Sequence, residues 1–118
     1  MDTKLNNEIG SISINEEVIA MIAGSAANEA YGIVGMAAQS TKNGITSILR
    51  KENLSKGVRV RLEEEEIYID LYVIIQFGTK ISVVAKNTID SVKYQVETQT
   101  GLKVSTVNLN IEGIKVQS

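Results

Sequence analysis

Apolar and polar positions alternate along this chain in two distinct periods, and the switches between them divide it into elements. Gly10-Ser11-Ile12-Ser13-Ile14 alternates with a period of two, which predicts a short strand. Asn15-Glu16-Glu17 then offers a side-chain cap and two carboxylates at the positive end of a helix dipole. A helix over Glu16–Tyr31 follows, its apolar surface built from small residues such as Ala23, Ala26, Ala27 and Ala30, with Gly32 as its stop. Ile33 to Ala38 is apolar and short, a strand or a buried crossing. Gln39 to Gly44 reads as a polar loop, and Ile45-Thr46-Ser47-Ile48-Leu49-Arg50-Lys51 has the spacing of a short second helix. Ser55-Lys56-Gly57 turns the chain.

The clearest pattern lies in the middle. Val58-Arg59-Val60-Arg61-Leu62 alternates strictly, Glu63–Glu66 interrupts it, and Ile67, Ile69, Leu71, Val73 and Ile75 then share one face of a long second run. This predicts an antiparallel hairpin with a four-residue acidic connection. Ile81, Val84, Ala85, Thr88, Ile89, Val92 and Val96 fall on one stripe of a helix over Lys80–Thr100, which Gly101 ends. A last strand carries Val107, Leu109 and Ile111 on one face, and Glu112-Gly113 is placed to bulge it on towards Ile114. The expected fold is α+β: a small, largely antiparallel sheet with the two main helices on one face, in the order strand, helix, short helix, strand, strand, helix, strand. No repeat or linker divides residues 1–118, so a single domain is expected, with residues 1–8 flexible.

Composition narrows the chemistry by absence. The 118 residues include no histidine, cysteine, tryptophan or proline, with 12 Lys+Arg against 14 Asp+Glu and a net charge of −2. Without histidine, the side chain best suited to proton transfer near neutral pH is missing. Without cysteine there are no disulfides, thiolate nucleophiles or sulfur metal sites. No phosphate-binding glycine loop or nucleophile elbow is present. Asp70 and Glu29 are a formal carboxylate pair, but nothing in the sequence brings them together. Gly32-Ile33-Val34-Gly35 matches a nucleic-acid-clamping G-x-x-G loop only in its glycines, since both middle residues are apolar. Glu63–Glu66 lacks the spacing of a calcium loop and reads as a solvated tip. The expectation is no enzyme, no cofactor and no metal.

Charge is distributed unevenly. Residues 42–61 carry Lys42, Arg50, Lys51, Lys56, Arg59 and Arg61 against Glu52 alone, inside an otherwise acidic chain. Ile45, Ile48 and Leu49 supply apolar contact area beside these cations, and Arg50, Lys51, Arg59 and Arg61 supply charge. These seven residues are the candidate partner-binding set. A protein partner is the leading expectation. A nucleic-acid backbone on Lys42–Arg61 is the alternative, with only Tyr68 and Tyr72 near the hairpin for base stacking. No apolar run approaches the ~20 residues of a membrane span, and sheet edges make a homo-oligomer a further expectation.

The ordered set of segments also resembles a known family. Ser13-Ile14-Asn15-Glu16-Glu17-Val18-Ile19-Ala20, then Tyr31-Gly32-Ile33-Val34-Gly35-Met36, is similar to the opening of alkaline shock proteins, also described as envelope stress response proteins. Ile48 to Asn53, Gly57-Val58, Ile67 to Tyr72, Phe77 to Ile81 and Val107 to Ile114 resemble the short single-domain members in the same order. The resemblance implies a cytoplasmic protein, mostly of Gram-positive bacteria, without enzymatic activity or cofactor. It also implies a role in envelope homeostasis through other proteins, some of which hold members near the membrane. It supplies no residue-level site.

Overall fold

The computed structural model describes residues 15–38, 49 and 51–116, with the side chains of Lys51 and Glu52 excepted. The expected strand at Gly10–Ile14, the residues 1–8 and nearly all of the expected short helix at Ile45–Lys51 lie outside the described residues. The described elements are α1 (Glu16–Asn28), β1 (Ile33–Met36), a 3-10 segment at Lys51–Gly57, β2 (Val58–Glu63), β3 (Glu66–Gln76), α2 (Ile81–Thr100) and β4 (Lys103–Lys115).

α1 begins as its sequence dictates. Asn15 is extended, its Oδ1 accepts from the Val18 N–H at 3.0 Å, and Glu16 and Glu17 fill the first turn. The helix stops three residues before the expected end at Tyr31. Glu29 closes it, and Gly32, at φ 83°, serves as the corner into β1 instead of as the helix cap. A Cβ on Gly32 would collide with Val84 Cγ2 of α2, so the corner is tucked against the second helix. α2 ends where expected: Gly101 is left-handed at φ 76° and its N–H donates to the Glu97 carbonyl.

β3 organises the sheet. Its first half pairs antiparallel with β2 along one edge, and its second half pairs antiparallel with β1 along that same edge. The other edge pairs with β4 from Glu66↔Lys103 to Gln76↔Lys115. Two of the three pairings are antiparallel, and the third, β3 with β4, is parallel. The 20-residue α2 carries the chain back along the sheet, which is what a parallel return requires. The β3–β4 register slips at Ser105 and again at Glu112, so the expected bulge at Glu112-Gly113 is present within one continuous strand.

Both helices cover one face. Ile67, Ile69, Leu71, Val73 and Ile75 of β3 are at most 1% exposed. Ile19, Ala23 and Ala27 of α1 and Val84, Val92 and Val96 of α2 pack with them in one core. The small side chains of α1 and the β-branched stripe of α2, which extends through Thr88 and Thr100, let the layers approach closely. Ile81 departs from its expected place in that stripe. It is the first residue of α2 and is 50% exposed.

The hairpin turn is tighter than its acidic stretch suggests. Glu63 and Glu66 pair with each other, leaving Glu64 and Glu65 as a two-residue turn at φ 50° and 67°. Two successive left-handed residues match the twist of paired strands, but glutamate adopts that conformation at a cost of about 1–2 kcal/mol per residue. Replacing the turn by Glu64→Asn with Glu65→Gly should therefore raise stability by at least about 1 kcal/mol, read as a rise of roughly 5 °C in thermal midpoint. Gly32→Ala should do the reverse, losing about 2–4 kcal/mol through backbone strain and overpacking against Val84. Combining it with Val84→Ala should recover the overpacking share alone, which a double-mutant cycle measures.

Candidate partner-binding face

The face of the sheet turned away from the helices carries polar side chains in register. Alternation in β2 puts Arg59 and Arg61 there, β3 adds Tyr68, Asp70 and Tyr72, and β4 adds Thr106, Asn108 and Asn110. Strand pairing arranges them into cross-strand rows, Arg59–Asp70–Asn108 and Arg61–Tyr68–Thr106. Together the six line a shallow depression of about 550 Å³.

The polar contacts within it leave the two arginines in different states. Asn108 Nδ2 donates to Asp70 Oδ1 at 2.9 Å, a cross-strand bond from β4 to β3. Asn110 Nδ2 donates to the Leu71 carbonyl at 3.2 Å. The Arg61 guanidinium carbon lies 4.7 Å from the centre of the Tyr68 ring, and its Nε sits 3.0 Å from Glu63 Oε2. Both partners of that ion pair are more than half exposed, so it contributes at most about 1 kcal/mol and yields readily to another anion. Arg59 is exposed and makes no ion pair among the described residues.

The candidate set is divided by the structure. Arg59 and Arg61 stand together on the open face. Leu49 is half-buried against the core, its N–H bonded to the Met36 carbonyl at 2.7 Å, so part of its apolar surface is directed inward. Ile45, Ile48, Arg50 and the side chain of Lys51 lie outside the described residues. Sequence reasoning missed the stacking of Arg61 on Tyr68 and the contribution of β4. The alternation of Thr106, Asn108 and Asn110 with Val107, Leu109 and Ile111 was the signal for the latter.

Other pairings weighed on sequence do not assemble. Asp70 lies on the open face, whereas Glu29 borders a groove between α1 and α2 beside Met21 and Gln95, so the sheet separates the two carboxylates. Ile33 and Val34 are half-buried in β1, and Gly35 pairs with Ile74, so Gly32 to Gly35 leads into a strand and forms no loop between helices. Among the described residues, no three Asp, Glu, His or Cys side chains converge as metal ligands, and no helix is long and apolar enough to cross a membrane.

The far end of the sheet is different again. Phe77, Ile81, Ile114 and Val116 are all at least half exposed, and the Phe77 N–H donates to the Lys115 carbonyl, joining the ends of β3 and β4.

Relatives of known sequence match this chain along nearly its whole length. YloU of Bacillus subtilis is 52% identical over 117 residues, covering 98% of each chain. Spy1614 of Streptococcus pyogenes is 42% identical, covering 98% of this chain and 97% of that one. A stress response regulator gls24 homolog of Streptococcus pyogenes is 22% identical across 92% of this chain and 60% of its own length. Residues 4–116 match the alkaline shock protein 23 family, described by its cell envelope-related function, and the chain belongs to that family.

Proposed function

We propose that this protein is a non-catalytic, cytoplasmic interaction module of the cell-envelope stress response, and that it binds an acidic segment of another protein on the open face of its sheet. The observation that carries the reading is the pair Arg59 and Arg61, adjacent in β2 and facing solvent above Asp70 and Tyr68. Arg59 has no ion pair among the described residues, and the pair held by Arg61 is exposed. A carboxylate-bearing segment laid across these rows gains charge-assisted hydrogen bonds from cations already fixed by the strand. The envelope-related family and the stress-regulator relative support the cellular setting. A membrane-anchored partner would bring the module to the membrane without a span of its own.

A nucleic-acid reading uses the same cations and fits less well. Asp70, Glu63 and Glu66 stand beside them, so a backbone charged at every phosphate meets repulsion along its length, whereas a peptide presents a carboxylate to Arg59 and neutral residues to the acids. Tyr68 and Tyr72 are a thin platform for bases, and Tyr68 is already stacked under Arg61.

Arg59→Glu with Arg61→Glu should keep the circular dichroism spectrum and a cooperative thermal transition while abolishing capture of the partner in cellular crosslinking. It should also weaken binding of a synthetic acidic peptide at least tenfold at low salt. Undiminished capture and peptide binding by the folded variant would refute the assignment. A shift of single-stranded RNA that these substitutions abolish would favour the nucleic-acid reading.

A further inference from the structure

β4 is the outer strand of the sheet. One edge pairs with β3 along its length, and among the described residues nothing pairs with the other. Elsewhere, strand backbone is capped by carboxylates reaching over from the helices. Glu16 Oε2 accepts from the Leu62 N–H of β2 at 3.3 Å, and Glu97 Oε2 accepts from the Val104 N–H at the start of β4 at 2.9 Å. Beyond Val104 no helix carboxylate caps the strand in this way among the described residues. From Thr106 to Ile111, between its two bulges, the strand has no charge and no proline, two of the devices by which natural sheets blunt an edge. The apolar row of this stretch is also incompletely covered. Val107, Leu109 and Ile111 are half-buried, whereas the β3 residues in register with them, Ile69, Leu71 and Val73, are at most 1% exposed.

The sequence of β4 reads nearly the same in both directions about Leu109. Asn108 mirrors Asn110, Val107 mirrors Ile111 and Val104 mirrors Ile114, while Thr106 falls opposite Glu112 and Lys103 and Lys115 lie beyond the central stretch. The two register slips against β3 flank the same centre, Ser105 four residues before it and Glu112 three after. A two-fold interface needs a surface complementary to itself. In an antiparallel pair of identical strands each residue faces the one equidistant from the axis on the other copy, so mirror positions must be complementary: apolar against apolar, neutral polar against polar.

We infer that Thr106–Glu112 is a docking edge for a second copy of this chain, paired antiparallel about a two-fold axis at Leu109. In that pairing Val107 faces Ile111 of the second copy on the helix side, so the half-covered apolar rows of both sheets become continuous. Asn108 faces Asn110 of the second copy on the open side, and Thr106 faces Glu112 of the second copy at both ends. Two four-stranded sheets become one, with all the helices on the same face and the arginine rows repeated on the other. Seven strand residues a side is small beside the roughly 20–30 of a standard interface, so the dimer is weak, on the order of 10–100 μM.

The register makes opposite predictions for one half-buried position on the open face. Thr106→Lys places a cation against Glu112 twice per dimer and should tighten self-association about three- to tenfold. Thr106→Glu places an anion there and should loosen it by a similar factor. Sedimentation equilibrium of the full chain from about 5 μM to 1 mM reads both, with circular dichroism confirming the fold. Because the chain has no cysteine, Leu109→Cys permits a disulfide only between copies, and mild oxidation should give a covalent dimer. Tyr94→Cys, on the exposed side of α2, should not. If Leu109→Cys fails to fold, the two Thr106 variants decide alone. A chain that stays monomeric to 1 mM, even as Thr106→Lys, would overturn the inference and leave the edge to a strand from another protein. Equal shifts from the two Thr106 variants, or equal crosslinking at Leu109→Cys and Tyr94→Cys, would overturn it as well.

Discussion

Five aliphatic side chains on one face of β3 set the terms for the rest of the molecule. Ile67, Ile69, Leu71, Val73 and Ile75 must all leave water together, because a slip of one residue would turn the whole row to solvent and bury Tyr68, Asp70 and Tyr72 instead. Burying each is worth about 1.5–3 kcal/mol, so the register is fixed by more free energy than any single contact elsewhere supplies. Every other strand takes its position from this one. β1 and β2 divide one edge between them, β4 takes the whole of the other, and both helices close over the aliphatic row. The polar face is a by-product of the same alternation, since the residues between the buried ones have nowhere else to point.

That dependence explains which features could be read before any coordinates. The β2–β3 hairpin and the α2 stripe are strictly periodic, and burial enforces periodicity. Asn15 and Gly101 carry local signals whose mechanism involves only their own neighbours, and both act as expected. The end of α1 was less accessible, because Gly32 answers to Val84, a residue 52 positions away that no local window contains. The four glutamates gave no sign of a two-residue turn, since the residues that favour one, asparagine and glycine, are absent there. Strand direction is likewise invisible to periodicity. The parallel return of β4 follows from the length of α2, a topological argument and not a pattern.

The candidate face was legible in part for the same reasons. Arg59 and Arg61 stood out as the polar half of an alternating strand, and the structure keeps them adjacent. Their surroundings depend on pairing between strands 38 residues apart, as in Asp70 with Asn108, which composition and spacing do not encode. Leu49 is divided: its apolar side chain is partly buried against the core, and the remainder stays accessible.

The two ends of β3 are chemically unlike. Glu63 to Glu66 crowd the end where the strand begins, offset in part by Arg61 and by Lys103 in register with Glu66. About 36 Å further along, Phe77, Ile81, Ile114 and Val116 are exposed where β3 and β4 finish together. The molecule thus has an anionic pole and an apolar pole on one rigid axis. At any boundary between media of different polarity those poles are not interchangeable. A surface that selects one of them also fixes which way the arginine rows between them run.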